Sequence, residues 1–74
     1  MIEQLQKVFR KVFDDDTLII STSTSASDIK IWDSLTHLQL IAEIESEFNL
    51  KFSFNEVMMF NSVADIVKTI ENKN

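Results

Sequence analysis

Neither glycine nor proline occurs anywhere in this sequence. Tight hairpins and left-handed corners draw heavily on those two residues, so a chain without them is a poor candidate for a compact sheet. The spacing of the apolar residues points the same way. Ile2, Leu5, Val8, Phe9, Val12 and Phe13 recur at steps of three and four, which marks one face of a helix and not the alternation of a strand. The pattern predicts a helix over residues 2–13. Asp14, Asp15 and Asp16 end it, because aspartate continues a helix poorly.

A second helix is expected over 34–48, with Leu35, Leu38, Ile41, Ala42, Ile44 and Phe48 as its buried stripe. Thr36, Gln39, Glu43, Glu45 and Glu47 fall on its margins and exposed side. Asp33 or Ser34 can cap its start, since each carries an oxygen able to accept from the free amides. Asn49 suits a left-handed stop in a chain without glycine. Ser53 and Glu56 have capping-box spacing, predicting a short helix over 54–59. Ser62 and Asp65 repeat that signal before a final helix over 62–72, whose buried face is Val63, Ile66, Val67 and Ile70.

Residues 14–33 connect the first two helices, and 21–27 are all Ser, Thr or Ala. A loop of that length is uncommon in a compact domain. Leu18, Ile19, Ile20, Ile29, Ile31 and Trp32 are therefore expected to pin it to the core. The expected fold is all-α: a small antiparallel bundle of three main helices plus one short helix, with a long loop between the first two. Residues 1–74 make a single domain in this reading.

Twelve acidic side chains against seven basic ones give a formal charge of −5. That field argues against nucleic acid, whose phosphates are bound by Lys and Arg, and favours partners with basic patches. The apolar runs are far too short for membrane insertion. The first thirteen residues lack the apolar centre of a secretory signal. With no cysteine, the chain offers neither a disulfide nor a thiolate metal site, which favours the cytoplasm.

Ser34 opens the most regular amphipathic stretch, "DSLTHLQLIAEIESEF". Asp33, Ser34 and His37 contain the residue types of a hydrolase triad within one turn. The spacing is wrong for it, because Asp33 cannot easily hold the far nitrogen of that imidazole. A cap role for Ser34 stays open, but Asp33 can supply the cap and leave the hydroxyl free. Taken with the acidic charge and the order of helices, "DSL" at the head of the second helix resembles the acyl carrier protein family. The resemblance runs through the long loop, "EIESEFNLKF" and "NSVADIVKTI", nearly the whole chain.

That resemblance implies a non-catalytic carrier with 4'-phosphopantetheine from coenzyme A attached to Ser34 and an acyl group held as a thioester at the arm's end. Asp33 would help present the site and its metal ion to a phosphopantetheinyl transferase, or would only cap; Leu35 completes the motif. Other implied partners are an acyl- or aminoacyl-loading ligase and the acyltransferases or synthases that use the cargo. Glu43, Glu45, Glu47 and Glu56 would form an acidic docking face, or an ordinary solvated one. Leu38, Ile41, Val57, Met58 and Met59 would line an acyl-chain cleft, or be plain core.

Departures from the commoner fatty-acid carriers are local. Ile31 stands where they have glycine, and Thr36, His37 and Gln39 thin the negative charge after the serine. Trp32 is either a clamp on the loop or a partner contact. They suggest a discrete, specialised, monomeric carrier for a fatty-acid, lipid, polyketide or related pathway. Peptidyl and D-alanyl carriers are the nearest alternatives. A helical interaction module with an unmodified serine is the alternative from a different class.

Overall fold

The computed structural model describes residues 1–73. Four α-helices follow one another: α1 (Ile2–Val12), α2 (Ser34–Phe48), α3 (Phe54–Met59) and α4 (Val63–Lys73). A short 3₁₀ turn, Ala26–Asp28, interrupts the first loop. The described residues are all-helical in their regular structure, as the periodicity predicts. α2 and α3 begin and end at the expected residues, whereas α1 stops one residue earlier and α4 starts and stops one later.

The helix ends follow from local chemistry. Asn49 closes α2 in the left-handed region, with φ 53°, a conformation asparagine tolerates better than most residues. Ser53 and Glu56 form a reciprocal capping box at α3. At α4, the Ser62 hydroxyl accepts from the Asp65 amide at 3.3 Å. After α1 the chain turns at Asp14, with φ 52°, and Asp15 accepts from both the amide and hydroxyl of Thr17.

The long loop is fastened at both ends. Arg10 donates to the Leu18 carbonyl at 2.7 Å, and Gln6 accepts from the Ile20 amide at 3.0 Å. Further along, Ala26 donates to the Asn61 carbonyl and Val63 to that of Thr24, both at 2.8 Å, tying the loop to the head of α4. Of the apolar pins, Ile20, Ile29 and Trp32 are buried and Leu18 packs against the core, but Ile19 and Ile31 are exposed. Ile19 lies in extended backbone between the inward Leu18 and Ile20, so it points outward, and Ile31 sits in the turn closed by the Trp32 amide and the Ile29 carbonyl at 3.0 Å.

Leu5, Phe9, Leu40, Ile44, Val63, Ile66 and Ile70 form the fully buried centre. Here the structure corrects the predicted stripe of α2. Leu40, Ile41 and Ile44 face inward, while Leu35, Leu38 and Ala42 lie on the exposed side. The reason is that α2 is apolar on two sides. At about 100° per residue, Leu35, Leu38 and Ala42 share one face, and Leu40 and Ile44 share nearly the opposite one. The face meeting α1 is the buried one.

Candidate functional site

The site is assembled at the head of α2, where loop gives way to helix. Asp33 is the cap. Its extended backbone lets Oδ1 accept from the amides of Leu35 and Thr36, each at 3.0 Å. Thr36 reciprocates, its hydroxyl oxygen accepting from the Asp33 amide at 2.8 Å while donating to the Ile31 carbonyl at 2.6 Å. The Thr36 amide, with smaller help from its hydroxyl and the Leu35 amide, holds the Asp33 carboxyl below its ordinary value of 3.8. Ser34 is then the first helical residue, exposed, and its hydroxyl takes no part in the cap.

Trp32 and His37 join behind the serine. The Trp32 indole donates to His37 Nδ1 at 2.9 Å, and His37 Nε2 lies 2.9 Å from the Val57 carbonyl. An indole N–H can only donate and a carbonyl can only accept, so the imidazole is neutral with its proton on Nε2. Both ring nitrogens are thereby engaged, and His37 has no lone pair left to take a proton from Ser34. Asp33, Ser34 and His37 are close without forming a triad. Trp32 itself is buried edge-on against Phe9, with ring centroids 5.5 Å apart. It clamps the loop onto the bundle.

A groove of about 520 Å³ opens beside Ser34 between α2 and α3. His37, Leu38, Val57 and Met58 line it, with Trp32 and Phe54. Of the cleft residues named from sequence, Leu38, Val57 and Met58 border the groove; Ile41 sits in the core and Met59 points to solvent outside it. Phe54, Phe60 and Ala26 also line it and went unnamed. Phe54 carried a usable signal, as a large apolar residue at the first position of α3, three and four residues before Val57 and Met58 and so on their face of the helix.

The acids are more scattered than their spacing suggested. Glu43 pairs with Lys11 of α1 at 3.1 Å. Glu45 accepts from the Phe52 amide at 2.8 Å, which fixes the chain leaving α2. Glu56 accepts from the Ser53 amide at 2.7 Å and pairs with Lys73 at 2.9 Å; the Ser53 amide first, then Lys73, lowers its pKa. Glu47 and Gln39 are exposed. Residues two apart on a helix point about 200° apart and residues four apart about 40°, so Glu43 and Glu47 share a face while Glu45 points nearly opposite.

Residues 3–70 match the family model described as a phosphopantetheine attachment site. The chain belongs to that family. Among solved structures, the holo acyl carrier protein of Geobacter metallireducens is 38% identical, with a TM-score of 0.88 over 97% of this chain and 83% of its own. A putative acyl carrier protein from Mycobacterium tuberculosis is 25% identical, with a TM-score of 0.86 over 99% of this chain and 97% of its own. A comparison with curated protein sequences finds no significant match.

The bundle is thus of acyl-carrier-protein type, and the prosthetic group is 4'-phosphopantetheine. The residues at the head of α2 fit such a group. They offer an exposed hydroxyl beside the positive end of a 15-residue helix, which favours a phosphate, and an apolar groove next to it. No cluster of three metal-ligating side chains occurs among the described residues, and none of the helices in the described chain is long and apolar enough to cross a membrane.

Proposed function

We propose that the chain is an acyl carrier whose 4'-phosphopantetheine is esterified to Ser34. The observation that carries this reading is the division of labour at the head of α2. Asp33 and Thr36 complete the cap between themselves, leaving the Ser34 hydroxyl exposed and uncommitted. A separate transferase would bring coenzyme A; Ser34 Oγ forms the new bond to phosphorus, the adenosine-diphosphate portion leaves, and the serine proton passes to a base on the transferase. When attached, the arm supplies the thiol that this cysteine-free chain lacks.

Asp33 uses Oδ1 for both amide bonds, and Oδ2 has no bond to a described residue. That second oxygen is free to contribute one ligand to a divalent ion held mainly by the transferase and coenzyme A. Leu35 and Leu38 are 65% and 61% exposed beside the serine, an apolar margin on which transferase, loading ligase and cargo-using acyltransferases or synthases would dock. Trp32, Thr36 and His37 act in this reading by shaping that margin from behind. In this reading the carrier is cytoplasmic and monomeric and serves a fatty-acid, lipid, polyketide or related pathway.

The test is intact-mass measurement after incubation with coenzyme A, magnesium and a promiscuous phosphopantetheinyl transferase. The expected result is a gain of one phosphopantetheine on the wild type and none on Ser34→Ala. No gain on the wild type, or an equal gain on Ser34→Ala, overturns the assignment. An interaction module with an unmodified serine would show no gain on either chain.

A further inference from the structure

The groove beside Ser34 ends against a tied wall. His37 stands one turn beyond Ser34 on α2, and the turn after it carries Leu40 and Ile41, both buried. Trp32 and Phe60, both buried, already line the groove, and anything passing deeper between α2 and α3 from the serine meets the imidazole before it meets Leu40 and Ile41. That ring is bonded on both sides, to Trp32 Nε1 and to the Val57 carbonyl. Both anchors are themselves held. Trp32 packs against Phe9 and Phe13 at centroid distances of 5.5 and 6.1 Å, and the Val57 carbonyl also accepts from the Phe60 amide that ends α3.

We propose that His37 limits how far a carried acyl group can enter the protein. By linking Trp32 to Val57 it closes the gap between α2 and α3, so cargo rests in the groove and does not pass inward to Leu40 and Ile41. The inference deepens the carrier reading and rests on it. Parting the two helices to admit a chain would take the imidazole N–H from the Val57 carbonyl and strain the indole bond behind it, in a half-buried place where unmet donors are disfavoured. The outer groove has no such restraint: Leu38, Phe54 and Met58 are 61%, 77% and 67% exposed. They can flank a short acyl group but cannot enclose a long one.

The experiment loads Ser34 with butanoyl- and decanoyl-phosphopantetheine from the corresponding acyl-coenzyme A, then follows thioester release by hydroxylamine. Wild type should release the two groups at rates within about twofold of each other, since neither is enclosed. His37→Ala should slow decanoyl release by about fivefold and leave butanoyl release unchanged, a dependence on chain length that mere loosening of the fold would not produce. In wild type the NMR position and exchange protection of the Trp32 indole N–H should be the same under either cargo, and this reading stands if His37→Ala fails to fold.

Decanoyl release already slowed in wild type, an indole signal that moves with decanoyl loading, or a folded His37→Ala with no added protection overturns the inference and leaves the carrier reading intact. A chain whose Ser34 accepts no arm sinks the carrier reading, and this inference with it.

Discussion

Asp33 governs what Ser34 is able to do. A serine directly before an amphipathic run would ordinarily accept from the first amides itself. Here an aspartate one position earlier reaches those amides, and Thr36 closes the box from the other side. The carboxylate is the better acceptor, which is also why its folded pKa lies below the ordinary 3.8, through the Thr36 amide first. A lowered folded pKa means stability that is present above the ordinary value and lost as pH falls through the folded one. Glu56 acts in the same direction through the Ser53 amide and Lys73. Urea midpoints measured at about pH 7 and about pH 3 should therefore fall for wild type, and fall less for Asp33→Asn, whose neutral cap does not titrate in that window. An equal fall in both would place the acid sensitivity in other carboxylates.

The helices show which kinds of information a sequence carries locally. The ends of α2 and α3 were readable because caps are short-range: Asp33 and Asn49 bound one, Ser53 with Glu56 starts the other. The inward face of α2 was not readable. Leu35, Leu38 and Ala42 form as regular an apolar series as Leu40, Ile41 and Ile44, and only the direction from which α1 arrives decides between them. The same limit applies to side chains that act at a distance. Glu45 reads as a surface charge but anchors the Phe52 amide, and nothing in the spacing of Trp32, His37 and Val57 announces their bridge. The two faces can be told apart by truncation. Leu40→Ala should cost about 2–5 kcal/mol in urea unfolding, and Leu38→Ala no more than about 0.5 kcal/mol. Comparable losses at both positions would mean that the outer face is packed in solution.

Taken as a whole, the molecule is acidic, with a formal charge of −5, yet that charge is not concentrated where Ser34 is exposed. Lys11 partly offsets Glu43, Lys73 offsets Glu56, and Asp33 is occupied by its cap. The margin of the site is instead Leu35, Leu38, Phe54 and Met58, all largely exposed. A partner approaching from a distance feels the summed negative field, which salt screens within about 10 Å at ordinary ionic strength. Once docked, it rests mainly on apolar side chains, whose burial salt does not weaken. The KM of a phosphopantetheinyl transferase for the apo-protein should accordingly rise by less than about threefold between about 50 and about 500 mM NaCl. Leu38→Ala, expected to fold like wild type, should raise it by about tenfold at either salt concentration, as removal of a central contact does. A steep salt dependence with little effect of Leu38→Ala would show instead that the dispersed acids govern docking despite their partners within the fold.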